Sequence, residues 1–223
     1  MSRFNQFPDS IRSPMVSDVG TLMAKTYGLL ALTLMVSAIA SIYGMHSPFA
    51  YQHPFILMIG SFALLFAVQY TGAHRSPIAV PLVFLFAAGM GMMMGPAIAM
   101  YLNAPKGPTI ITEALGTTAI MFIGLSVYAL TTRRNFSHIG GFLITGLVIA
   151  IVVSLVNIFF LHLPTLQLAI AGVLVLVFSG LILFDTQRMV NGGVQEPVLL
   201  VVGLYLDIIN LFMALLEIFG NRD

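Results

Sequence analysis

Charge and cysteine are what this chain conspicuously lacks. Only 8% of its 223 residues are Asp, Glu, Lys or Arg, and there is no cysteine. Without cysteine there is no disulfide framework, thiol nucleophile, iron–sulfur cluster or thiolate metal site, so redox chemistry on sulfur is confined to methionine. The scarcity of charge removes any basic patch that could hold nucleic acid, and the formal net charge of +1 agrees with that exclusion. What fills the sequence instead is hydrocarbon: 59% hydrophobic residues and a mean hydropathy of +1.01. Soluble domains carry roughly 45 to 50% apolar and about 25% charged residues, so this composition is that of a polytopic membrane protein.

A hydrocarbon core of about 30 Å needs roughly twenty apolar residues rising 1.5 Å each. Seven stretches qualify, at 24–44, 54–71, 78–102, 109–131, 139–161, 165–187 and 198–219. The segments between them, HSPFAYQHP, TGAHRSP, NAPKGP, TTRRNFSH, HLP and NGGVQEP, carry the proline, glycine and charge that end helices. The expected fold is one all-α domain, 21–223, preceded by a flexible cytoplasmic tail, 1–20. That tail is polar, contains Pro8 and Pro14, and lacks the apolar core and cleavage site of a signal peptide, so it is expected to be retained.

A cytoplasmic N-terminus puts Arg3, Arg12, Lys25, Arg75, Arg133, Arg134 and Arg188 inside and only Lys106 and Arg222 outside. This satisfies the positive-inside rule and predicts a C-terminus on the external face. With loops this short, function must reside in the bundle, at its loop ends or in the tail.

The last span, GLYLDIINLFMALLEIFG, contains an aspartate where oil is expected. An aspartate at the centre of a spanning helix costs about 2.5 to 3.5 kcal/mol on insertion scales, which the surrounding Leu, Ile, Phe and Val offset at roughly 0.3 to 0.6 each. On a 3.6-residue period, Gly203, Asp207, Asn210, Ala214 and Glu217 share one small-and-polar stripe, beside an apolar stripe of Leu204, Ile208, Leu211, Leu215 and Ile218. Intramembrane acids point to the bundle interior or to a water-filled cavity.

A second acid, Asp185, lies near the end of span six. The turn at Gly192, Gly193 and Pro197 brings it to a depth similar to that of Asp207. Two carboxyls sharing a site hold a proton more readily than one, because ionising the first opposes ionising the second. Loss of that proton forces the charges apart or attracts a hard cation such as calcium. Against this stands a structural reading, in which the aspartates make hydrogen bonds or pair with Arg188, one turn beyond Asp185.

Other polar features point elsewhere. Glu113 is expected in the first turn of span four, where a carboxylate favours the helix dipole. Span three contains AAGMGMMMGP, whose glycines permit close helix approach and whose Pro96 predicts a kink; its methionines fill gaps. Ser154 and Asn157 are candidates for interhelical hydrogen bonds. The five histidines lie near loop ends without HExxH spacing, which excludes a zinc peptidase. Two intramembrane aspartates also suit a presenilin-type protease, but the GxGD motif is absent, so no enzymatic activity and no cofactor are expected.

The segments EALGTTAIMF, RRNFSHIGGFL, ILFDTQRM and LYLDIINLFMALLEIFG together resemble the Bax inhibitor-1 family, closest to its bacterial YccA-like branch. The resemblance covers all seven spans and is most specific in the last two. It implies a bundle of six helices around a central seventh, and a pH-sensitive calcium leak gated by Asp185 and Asp207. Some members pair an arginine near the end of span two with the span-six aspartate. Here YTGAHRS offers His74 and Arg75, one or two residues out of register. The branch is also associated with modulation of the membrane protease FtsH, for which the N-terminal tail would be a handle.

Overall fold

The computed structural model of the chain describes residues 14–132, 134, 136–191 and 196–221. Eight helices account for nearly all of them: α1 (Pro14–His46), α2 (Pro48–Gln52), α3 (Pro54–Ala73), α4 (Ala79–Leu102), α5 (Gly107–Thr131), α6 (Gly140–Val156), α7 (Pro164–Val190) and α8 (Pro197–Gly220). All but the five-residue α2 are long and apolar enough to span a bilayer, α6 together with the helical turn that extends it to Leu161, which makes seven spans. Proline occupies the first turn of α2, α3, α5, α7 and α8. Its fixed φ suits that turn, and its missing N–H would be unpaired there anyway.

The boundaries match the expected spans to within a few residues, with two exceptions. Pro14 opens α1 some ten residues early, so 14–20 are the first turns of a helix rather than part of a tail, and residues 1–13 lie outside the described residues. The break HSPFAYQHP holds α2, which the hydropathy pattern does not reveal because it is too short to span. At its far end α6 widens into a π-helical turn over Asn157–Leu161. The side chain of Asn157 closes that end: its Nδ2 donates to the Leu163 carbonyl at 3.1 Å and its Oδ1 accepts from the Leu163 amide at 3.0 Å.

The buried share of each span orders the bundle. Two-thirds (67%) of the most apolar stretch of α8 is buried, against 17 to 44% in the other six. Helix α8 packs against α1, α3, α4, α5 and α7, while α6 sits at the perimeter and packs chiefly on α7. Phe142 and Phe160 at that perimeter are each 79% exposed. Rings so placed would be an aggregation hazard in water, but in a bilayer they face hydrocarbon.

Helices α1 and α4 meet backbone to backbone. A methyl group on Gly91 would strike the Ser37 carbonyl, and one on Gly95 would strike the backbone at Gly44 and Met45. Pro96 leaves the carbonyl of Met92 without its usual intrahelical donor, and that carbonyl abuts Gly44. The glycines of AAGMGMMMGP thus do what the sequence predicts. The helix nevertheless continues through Pro96 to Leu102.

Candidate functional site

The inner faces of α7 and α8 bring the two aspartates to one seam. Asp185 rests its carboxylate against Gly203, which lies one helical turn before Asp207 on α8. Four residues at 1.5 Å separate Gly203 from Asp207, about 6 Å along the axis. Any side chain at 203 would displace the carboxylate, so glycine here is a requirement of the acid on the neighbouring helix.

The two acids differ in environment. Asp207 is 5% exposed, and its Oδ2 has no hydrogen-bond partner among the described residues. Asp185 keeps some access to the surface and is paired at 3.7 Å with Arg188, whose guanidinium also lies over the Phe184 ring. The structural ion pair weighed from the sequence is therefore present for Asp185, while Asp207 has none among the described residues. Beside Asp185, the Thr186 hydroxyl is likewise buried without a partner. An orphaned buried oxygen costs about 1 to 3 kcal/mol, and such groups concentrate where function demands them.

The arginine and histidine that follow span two do not meet Asp185. Arg75 reaches Glu196, at 2.6 Å, rather than Asp185. His74 is exposed, stacked on Tyr70 and bonded through Nδ1 to the Tyr70 carbonyl at 2.7 Å, so it makes no contact with either acid. The register explains both: α3 ends at Ala73, and Arg75, with a left-handed φ of 53°, turns its side chain toward the start of α8. Glu196 escaped the sequence reading because it sits in NGGVQEP, a segment read only as a turn. Its one signal was its place before Pro197, at the head of the acid-bearing helix.

The remaining candidates disperse. Glu113 falls in the second turn of α5, not the first, because the helix begins at Gly107; it is exposed and remote from the aspartates. Asn210 turns back on its own helix, donating to the Leu206 carbonyl at 2.7 Å. Glu217, at the other end of α8, is hydrogen-bonded by Gln167 of α7, which in turn accepts from Asn157 at 3.2 Å. Asn157 therefore makes the expected interhelical bond. Among the described residues no cluster of three His, Cys, Asp or Glu forms a metal cage.

Gln187, two residues past Asp185, was not singled out from the sequence. Its Oε1 accepts from the Phe136 amide at 2.6 Å and its Nε2 donates to the Arg134 carbonyl. One buried amide thus ties the RRNFSH loop to the FDTQRM segment, next to the acid pair.

The family model described as inhibitor of apoptosis-promoting Bax1 matches residues 19–223. The chain belongs to the Bax inhibitor-1 family. It is 37% identical over 204 residues to the Modulator of FtsH protease YccA of Escherichia coli K12, with 91% of each chain covered. A membrane protein of Vibrio cholerae is 38% identical, covering 92% of this chain and 93% of its own. Bax inhibitor 1 of Schizosaccharomyces pombe is 32% identical over 90% of this chain and 77% of the relative. The family assignment and the seven apolar helices make this a multi-pass membrane protein of the YccA type.

Proposed function

We propose that this protein is a membrane-embedded modulator of the protease FtsH in the bacterial inner membrane. The observation that carries this reading is the end-to-end similarity to an Escherichia coli protein whose name states that role, at 37% identity with 91% of each chain covered. The architecture agrees with it: nearly all of the described chain lies in spanning helices, so a partner must be met within the bilayer, at short loops or through residues 1–13. Lys25, Arg75, Arg134 and Arg188 lie at one end of the bundle and Lys106 at the other, which favours a cytoplasmic N-terminus and an external C-terminus. Co-purification with FtsH from membranes tests the reading, using the full chain and a form lacking residues 2–12, a deletion that stops short of α1. Association that weakens on deletion supports it, and no association in either form removes it.

A second reading rests on a separate observation, the orphaned Oδ2 of Asp207 one helical turn from the Gly203 seat of the Asp185 carboxylate. In this reading the aspartates act as the proton-sensitive gate of a passive calcium leak. One proton kept on the pair limits the seam to a single negative charge; its loss sets two negative charges in a poorly solvated seam, which favours either separation or a hard cation among the oxygens. Flux of calcium from proteoliposomes should then vary with pH, and Asp185→Asn with Asp207→Asn should abolish the variation. Unaltered pH dependence in the double variant sinks the gate without touching the FtsH reading.

A further inference from the structure

A cavity of about 350 Å³ opens where α1, the α3–α4 turn and the head of α8 meet, lined by Lys25, Arg75, Ser76 and Glu196 over a wall that includes Leu29 and Val198. It lies at the ends of spanning helices, the level at which lipid headgroups sit. We propose that this cavity binds the phosphate of an anionic phospholipid, with Lys25 and Arg75 as its cationic contacts and Ser76 as a hydroxyl donor.

Four observations support the assignment. Lys25 is exposed and has no ion pair among the described residues, so its charge is available. Arg75 adopts a left-handed backbone, which is uncommon for a side chain other than glycine, asparagine or aspartate, and that turn aims its guanidinium at the cavity. The α8 N-terminus lines the same space through Pro197 and Val198, and the positive end of that helix dipole favours an anion. The apolar wall of Leu29 and Val198 suits the glycerol and first methylenes of a lipid better than a freely hydrated ion. Basic pockets between helices at a membrane surface take anionic headgroups for these reasons. Glu196 is the opposing charge, and its bond to Arg75 makes it the competitor that an incoming phosphate must displace.

Native mass spectrometry of the detergent-solubilised full chain, titrated with phosphatidylglycerol, phosphatidylcholine or inorganic phosphate, tests the proposal. Phosphatidylglycerol should bind several-fold more tightly than phosphatidylcholine. Lys25→Gln should reduce that preference about fivefold, the worth of one cation near a charged surface. Glu196→Gln should strengthen phosphatidylglycerol binding by freeing Arg75, whereas a merely structural role for the ion pair predicts no gain. Equal retention of the two lipids, or a preference untouched by Lys25→Gln, overturns the proposal. Inorganic phosphate displacing phosphatidylglycerol as an equal competitor would assign the cavity to a free anion and overturn the lipid.

Discussion

The α1–α4 seam and the α7–α8 seam both depend on glycine, but for opposite reasons. At α1–α4, Gly44, Gly91 and Gly95 let two backbones touch, and what a methyl would strike is main-chain carbonyl and amide. At α7–α8, Gly203 yields room to the carboxylate of Asp185, the mobile end of a side chain. The first seam is a wall, which nothing nearby can relieve. The second is a socket, whose occupant can turn away at the expense of its position. Small residues between membrane helices therefore have two meanings, close packing and a seat for a polar group, and the neighbour decides which.

The two seams should respond differently to substitution. The largest effect is expected at the wall: Gly91→Ala with Gly95→Ala overpacks two backbone contacts and should destabilise the protein by about 2 to 6 kcal/mol, taking 1 to 3 per site. Thermal unfolding in detergent measures it, and a near-neutral double variant would show that α1 and α4 are not in direct backbone contact. Next comes the orphaned acid of the socket. Asp207→Leu removes a buried oxygen without a partner and should raise stability by about 1 to 3 kcal/mol. A loss instead would mean that Asp207 is hydrogen-bonded in the folded protein, and the contrast between the seams would narrow.

A smaller effect is expected at the socket itself. Gly203→Ala should cost less than about 1.5 kcal/mol, since the Asp185 carboxylate can change rotamer, yet it should alter the Asp185–Arg188 pairing. A Gly203→Ala variant destabilised as strongly as a single Gly95→Ala variant would erase the distinction. The smallest effect belongs to the exposed ion pair at the head of α8: Arg75→Ala should cost at most about 1 kcal/mol, and less at high salt. A salt-insensitive loss of several kcal/mol would make that pair part of the core instead.

Much of this arrangement was legible beforehand. The seven spans followed from hydropathy because a bilayer demands about twenty apolar residues whatever the neighbours are. The helical period of α8 was legible but not its rotation: of the polar stripe only Asp207 and Ala214 are buried, Gly203, Asn210 and Glu217 are half-buried, and Leu204, Ile208, Leu211 and Leu215 of the apolar stripe beside it are buried. Asp185 and Asp207 followed from the cost of charge in hydrocarbon. Arg75, Glu196 and Gln187 were harder. Their partners lie at sequence separations of 121 residues for Arg75–Glu196 and 51 for Phe136–Gln187, and neither periodicity nor turn chemistry reaches so far. Glu113 was misplaced by one turn because Gly107 and Pro108, read as loop, begin the helix.

By itself the sequence determined that this is a seven-span membrane protein with two aspartates on its last two helices, because backbone satisfaction and transfer free energy are local properties of a segment in lipid. Only the tertiary structure decided that Asp207 Oδ2 is left without a partner among the described residues while Asp185 has Arg188, and that the arginine after α3 closes on Glu196. Partner choice depends on the rotation and axial register of helices against one another. A shift of a single residue turns a helical side chain by about 100°, which only packing can settle.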